Sequence, residues 1–337
     1  MGCRDLRGLP KATLMISRIQ VGIDVSKKWF DIHVLAGRDE VCARFANDTS
    51  GHQAFIDKVR QIRSRKVHVC MEFTGGYETA LAIACKNAGF VVSIVDGAKI
   101  AHFRRSFSST GGGTDKKSAY LLARICKERR PEEWFPLPDE FRKLRELVRH
   151  RERLIEAKTQ WACRAAHDVE DELVSAQRAA IVNVLAIQIS DVETRIREHV
   201  RDNPNLAAAV RLLQTIPGIG ATTAHRLVAE IGPIESYACA KALALAAGLV
   251  PIVIHSGQRT PPGKLPVYGN KELRCSFFYP ALVCKRNGKG VGPFIQRVAK
   301  ADKAKMTAIT AGMRKLAHIV FGVLSTQTPF LESRMNS

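Results

Sequence analysis

Aromatic residues are scarce, at 7% of 337 positions, so a long platform of stacked bases is not the main device of this chain. Its nine cysteines form no Cys-x-x-Cys pair and no Cys/His cluster at zinc-ligand spacing, which excludes a zinc module and a redox dithiol. Unpatterned cysteines fit free, mostly buried thiols in a reducing compartment, and the expected location is the cytoplasm. No continuous apolar run reaches the roughly 18 residues of a membrane span, so no membrane partner is expected. The basic start of the chain has no apolar core, which excludes a secretory leader. Residues 1–18 read as a basic extension, and Met15 within it is a second candidate start. Acids are few as well: 32 against 52 Lys and Arg, a formal net charge of +20. Such an excess draws polyanions, above all nucleic acid.

What remains is an ordinary globular composition, 46% hydrophobic and 25% charged, long enough for two or three domains. Residues 19–46 offer three short strands, Ile19–Val25, Trp29–Ala36 and Glu40–Ala46, with Gly37-Arg38-Asp39 as a hairpin turn. Asn47 to Ser50 supply helix caps for His52–Ile62. Lys66–Met71 reads as a fourth strand, Tyr77–Asn87 as a helix and Phe90–Val95 as a fifth strand. A meander followed by this alternation predicts an α/β layer with a mixed sheet. Lys99 to Thr114 is basic and then Ser/Gly-rich, a mobile loop by composition that either closes on a nucleic-acid backbone through Arg104 and Arg105 or serves as a plain linker. Asp115–Lys127 reads as a helix. Pro131, Pro136 and Pro138 mark a boundary. Beyond them Val182, Leu185, Ile189, Val192 and Ile196 recur at 3-4 spacing, which predicts a helical hairpin or coiled coil interrupted near Val169. Arg149, His150, Arg151 and Arg153 read as a solvated basic face.

Three acids carry the first chemical signal. Asp24 ends the first strand, Glu72 follows the fourth, and Asp115 opens the helix after the loop. A carboxylate in a buried strand is costly without a cation, and three at one sheet edge would bind Mg²⁺, a hard ion suited to phosphodiester chemistry. Asp24 alone also reads as a turn cap beside Ser26 and Lys27. A second signal is Ile216-Pro217-Gly218-Ile219-Gly220 before the helix Ala221–Ile231. This is a helix-hairpin-helix pattern whose backbone N–H groups can hold a phosphate, or else a tight packing turn. A third is Ser256, placed by sequence among Arg259, Lys264, Lys271 and Arg274. A serine ringed by cations suits attack on a phosphodiester, although a turn serine is commonly structural. Leu273–Cys284 and Met306–Leu324 read as further helices.

Taken together, the segments Gly22 to Lys27, Glu72 to Tyr77, Thr114 to Lys117, Ile216 to Gly220, Gly248 to Pro251, Ser256-Gly257 and Gly269 to Arg274 resemble the DEDD-type transposases of bacterial insertion sequences (the IS-one-ten type) and the related Piv/MooV invertases. The resemblance spans about residues 19–330. It implies a RuvC-like, RNase H-like domain over 19–130, a coiled-coil middle over 137–203 and a mainly α transposase domain over 207–330. It implies DNA recombination with Asp24, Glu72 and Asp115 as Mg²⁺ ligands and Ser256 as a nucleophile that becomes covalently joined to a DNA end. The expected nucleic-acid contacts are Lys27, Arg104, Arg105, Gly218, Gly220, Arg259, Lys271 and Arg274. Expected partners are element-end and target DNA, the structured guide RNA that some members use, and further copies of the chain in a dimer or tetramer. One departure stands out: Ser118 occupies the position of the pattern's fourth acid, which leaves Asp96 at the end of the fifth strand as a substitute. A junction nuclease using the acids alone and an inactive nucleic-acid-binding remnant are the competing readings.

Overall fold

The computed structural model describes residues 18–36, 39–62, 66–107, 115–165, 171–252, 265–266, 269–301 and 305–332. The chain divides into two compact units, Met1–Pro136 and Leu137–Ser337.

In the first unit β1 (Arg18–Val25), β2 (Trp29–Ala36) and β3 (Asp39–Ala46) form an antiparallel meander. β4 (Lys66–Glu72) lies parallel to β1, and β5 (Val91–Val95) parallel to β4, giving the order β3-β2-β1-β4-β5. Side chains alternate across a strand. Val21, Ile23, Val69 and Met71 therefore share one face, buried with Phe55 of α1 (Thr49–Gln61) and Leu81 of α2 (Thr79–Asn87). Cys70 and Val95 face the other way, buried with Ile100 and Phe103 of α3 (Gly97–Phe107) and Leu122 and Ile125 of α4 (Asp115–Arg129). Asp48 caps α1 by accepting from the Gly51 N–H, one of the caps expected between Asn47 and Ser50.

The expectation of a loop from Lys99 needs correction. Residues 97–107 form α3, because Ile100 and Phe103, three residues apart, find a buried apolar face. The flanking Arg, Ser and Gly residues masked that pair in composition. Residues 108–114 lie outside the described residues, as do 37–38 of the expected hairpin turn.

α4 touches the sheet at backbone distance. A Cβ on Gly22 would fall on the backbone of Ala119 and Ala123, so the helix lies directly on the strand. Further back along the sheet, His68, the register partner of Gln20, accepts at its carbonyl from Cys126 Sγ, 3.4 Å away. The helix thus runs opposite to β1, and its first residue, Asp115, lies toward the carboxyl ends of β1 and β4.

The second unit is helical. α5 (Asp139–Ala165) and α6 (Glu172–Arg201) form an antiparallel hairpin. Arg178 donates to the Arg164 carbonyl near one end, Arg151 pairs with Glu193 further along, and His199 bonds the Glu140 carbonyl at the other end. Of the predicted stripe, Ile196 is fully buried while Val182, Leu185, Ile189 and Val192 are half-buried. The expected interruption at Val169 lies outside the described residues. Over one 18-residue window α6 has mean hydropathy 1.4, so it is long and apolar enough to cross a membrane, which scattered polar residues such as Asn183 and Gln188 hid from a search for continuous runs. One such helix is weak evidence of a span, since the paired helices of a soluble hairpin share that composition.

α7 (Pro204–Gln214), α8 (Ala221–Ile231), α9 (Ala240–Ala246), α10 (Lys271–Asn287), α11 (Gly292–Lys300) and α12 (Lys305–Thr326) complete this unit. Its core joins Leu206, Leu227, Leu243, Phe277 and Leu316 with Leu144 and Val148 of α5. Within it Glu230 is only 2% exposed. Arg149 holds it with two bonds of 2.7 and 2.9 Å, and Asn270 donates a third at 2.8 Å. Arg145 donates to the Ala229 and Glu230 carbonyls. Arg149 is therefore ion-paired, because a buried carboxylate requires a cation, and Arg151 pairs with the half-buried Glu193, while His150 and Arg153 of the expected basic face are exposed.

Two outcomes are expected. Gly22→Ala should unfold the first unit at lower denaturant by about 3 kcal/mol, since backbone rather than a pliable side chain occupies the space; chemical denaturation checks it. Arg149→Ala should cost the second unit about 3 kcal/mol by stranding Glu230, read from the same curves.

Candidate functional site

β1 and β4 are in parallel register, with Ile23 opposite Met71. Asp24 and Glu72 are the next residues of each strand, so they stand side by side on the face that Gly22 and Cys70 turn toward α4. Both are half-buried. Gly97, at the start of α3, keeps this place open: a Cβ there would approach Glu72 Oε1 to 2.9 Å. Burial pushes the Glu72 carboxyl above its ordinary value; the Arg104 charge pulls it down, and the negative charge of Asp96 pushes it up again. Of the predicted acids, then, the structure brings Asp24 and Glu72 together and turns the backbone of Asp115 toward the same edge. The Asp115 side chain is outside the described residues. Ser118 sits one turn into α4, and Asp96 is exposed at the end of β5.

Sequence reasoning missed a further acid. Asp31 is the register partner of Asp24 on β2, 8% exposed and held by Arg44 through two bonds of 2.9 and 2.8 Å. The hairpin register was the signal: seven residues apart across a Ser26-to-Lys28 turn, the two acids share one face. With Arg44 as partner, Asp31 is neutralised within the sheet. Among the described residues no three His, Cys, Asp or Glu side chains form a metal cage. The donor set nonetheless suits a hard cation: carboxylate oxygens of adjacent strands, one of them with its charged form disfavoured by burial and a neighbouring acid.

The predicted cations divide. Lys27 is exposed in the turn after Asp24, and Arg104 and Arg105 are exposed on α3. Lys271 is exposed at the start of α10, while Arg274 is half-buried and donates to the Pro266 carbonyl at 3.0 Å. Ser256, Arg259 and Lys264 lie outside the described residues. The chain on either side of them is described and tightly joined. Asn270 N–H bonds the Ala246 carbonyl at 2.7 Å, and a Cβ on Gly269 would come within 2.8 Å of the Gly248 backbone. Asn270 also caps α10 through Leu273 N–H and reaches the buried Glu230.

The glycine turn between α7 and α8 also divides. Gly218 has φ 86° and packs where a Cβ would meet the Pro280 carbonyl at 2.8 Å, so packing alone requires a glycine. Gly220 has open space around it and caps α8 with no side-chain bond. The first N–H groups of α8 are accordingly left for an outside acceptor.

Comparison with known proteins gives matches in both units. A transposase model of the DEDD IS110 type matches residues 21–169, and a model described as the transposase IS116/IS110/IS902 family matches residues 210–294. The pilin gene-inverting protein of Moraxella bovis is 29% identical over 323 residues, covering 94% of this chain and 98% of that protein. The IS110 43.6 kDa protein of Streptomyces coelicolor is 30% identical over 124 residues, 37% of this chain and 30% of that protein. The transposase for insertion sequence element IS1328 of Yersinia enterocolitica is 33% identical over 90 residues, 27% of this chain and 26% of that protein.

Because burial raises the Glu72 carboxyl, its ionised form opposes folding at neutral pH, and that cost disappears as pH falls below the ordinary glutamate range. Without divalent metal, Glu72→Gln should raise the melting temperature at pH 7, with the gain shrinking toward zero in acid. Added Mg²⁺ should raise the melting temperature of the native protein more than that of the variant. Calorimetry across pH, with and without the ion, checks both.

Proposed function

Because the chain belongs to the IS110-type transposases, which are DNA recombination enzymes, we propose that Asp24, Glu72 and Asp115 form a Mg²⁺ site for phosphodiester exchange and that Ser256 of another copy of the chain supplies the nucleophile. The observation that carries this reading is the delivery of the start of α4 to the strand edge where Asp24 and Glu72 stand side by side. Bound there, the ion would supply Lewis-acid polarisation of a phosphate. The first unit is read as RNase H-like, of the RuvC type. An antiparallel meander flanked by two parallel strands in the order β3-β2-β1-β4-β5 supports it.

In this reading Ser256 Oγ bonds to phosphorus as the P–O bond to the departing strand breaks, and the departing oxygen takes up a proton in place of the one Oγ gives up. One phosphoester replaces another, so the bond is conserved for rejoining and no energy-rich cofactor is required. Arg259, Lys271 and Arg274 would hold the phosphate, Gly220 would open the N-terminus of α8 to the backbone, and Lys27, Arg104 and Arg105 would steer DNA toward the acids. Asp96 is read as the substitute for the fourth acid, since its charge already acts on Glu72. Leu173, Val184 and Ile187 of α6, exposed by 66, 53 and 63%, support a homo-oligomer joined through the hairpin. Inversion of a gene, the act named for the Moraxella bovis relative, and movement of an insertion element are the two outcomes such chemistry supports. A net charge of +20 suits a protein that binds a guide RNA as well as DNA.

The test is trapping of a covalent adduct with Mg²⁺, element-end DNA and RNA transcribed beside the element. The expected result is a protein–DNA band on a denaturing gel that Ser256→Ala and Asp24→Ala each abolish by more than about 100-fold. DNA cleavage that survives Ser256→Ala would replace this reading with a nuclease using the acids alone. An adduct seen only after Ser118→Asp would show that loss of the fourth acid has silenced the chain.

A further inference from the structure

The corner beside the acids carries large side chains that folded proteins ordinarily bury. Trp29, Phe73 and Tyr77 are 48, 58 and 49% exposed, in a chain with few aromatics to spend. Trp29 opens β2 on the acidic face, since Asp31 and His33, two and four residues on, pair with Asp24 and Gly22. Phe73 directly follows Glu72 and continues the pairing with β5 through its bond to the Val95 carbonyl, so by strand alternation it belongs to the face opposite the acids. Tyr77 is tied to the same corner by Asn47, whose side-chain amide donates to the Ser26 and Tyr77 carbonyls at 2.9 and 3.1 Å and whose N–H bonds the Lys28 carbonyl at 2.9 Å.

The frame that presents them is stiff. Glu78, 2% exposed, accepts from Thr74 N–H, Thr74 hydroxyl and Gly76 N–H at 3.2, 2.6 and 3.0 Å. That fixes the chain between Phe73 and Tyr77. Cations stand beside the rings: Lys27 and Lys28 are exposed in the adjoining turn, and the Arg44 guanidinium lies 5.8 Å from the Trp29 ring centroid.

We infer that Trp29 and Tyr77 form a stacking site for unpaired bases of a DNA strand, at the corner beside Asp24 and Glu72. The inference rests on the proposed acidic site and names the form of DNA that enters it. An exposed ring fits the face of a nucleobase, and an adjacent cation fits the phosphate linked to it. Paired bases inside a duplex offer no free face, so the site selects a strand whose bases have been opened. An apolar protein partner would have to desolvate Lys27 and Lys28 without return; a polyanion with π faces satisfies both features.

The test measures binding in EDTA, so cleavage plays no part. Single-stranded DNA carrying 2-aminopurine is titrated against the same probe in a duplex. The native protein should quench the probe in the single strand and not in the duplex. Trp29→Ala should weaken single-strand binding about tenfold, within the range for one lost stack, and leave the slope of affinity against salt unchanged. Trp29→Phe should restore most of the affinity, and Tyr77→Ala should reproduce part of the loss. Lys28→Ala, in contrast, should reduce the salt slope. Salt-dependent binding indifferent to both Trp29→Ala and Tyr77→Ala, or equal quenching in the duplex, overturns the stacking site alone. No binding to either DNA overturns the stacking site and the recombinase reading together.

Discussion

A helix can lie against a strand at backbone distance only where the strand has no side chain, and in the first unit that place is Gly22. The Ala119 carbonyl and the Ala123 N–H occupy the space a Cβ would need. Small residues on the helix side complete the fit, and Leu122 and Ile125 then reach the apolar pocket made by Cys70 and Val95. This one close approach fixes the height and direction of α4 over the sheet. Asp24 lies two residues beyond Gly22 on the same face, and Asp115 lies one turn before Ala119. The separation between the acidic strand ends and the start of the helix is therefore set by backbone packing rather than by the acids, whose like charges repel one another.

The second unit solves a similar problem with a charge in place of a void. Glu230 is buried, and burial alone would raise its carboxyl; bonds from Arg149 and Asn270 and the charges of Arg149 and Arg145 more than reverse this and hold it below the ordinary range. Such a pair is poor as net stabilisation but severe toward alternatives, because any arrangement that separates the partners leaves a charge in the core. The bonds made by Glu230 join α5, α8 and the start of α10. Asn270 also caps α10 and bonds the carbonyl of Ala246, so the flanks of the serine-bearing segment inherit their position from one carboxylate.

Much of the strand and helix layout was legible because periodicity reports burial directly. The alternation of Val21, Ile23 and Val25 against Gln20, Gly22 and Asp24 marks a two-faced strand, and the acids at strand ends stood out because a charge interrupts an apolar run. Pairings distant in sequence were not legible. Arg149 and Glu230 lie 81 residues apart, and nothing local distinguishes a cation that caps a buried acid from one on a wet surface. α3 was hidden for the opposite reason: Ile100 and Phe103, buried on it, stand among polar neighbours, and composition averages over them. Gly218 and Gly220 share one motif but not one role, a difference that lies in Pro280, which only the fold brings close to the turn.

A strongly basic protein with acids at its centre faces a conflict, since the acids repel the phosphates that the basic surface attracts. The structure separates the two roles in space. Asp31 is neutralised inside the sheet by Arg44, while Asp24 and Glu72 stand together on the same face, with the charge of Glu72 offset from a distance by Arg104. Lys27, Lys28, Arg104 and Arg105 stay exposed on the turn and helix that border them. Arriving DNA would then be gathered by long, solvated side chains and held a short distance from carboxylates that cannot themselves welcome it. Under the proposed reading the divalent ion settles the conflict, because it is attracted by the carboxylates and by the phosphate together.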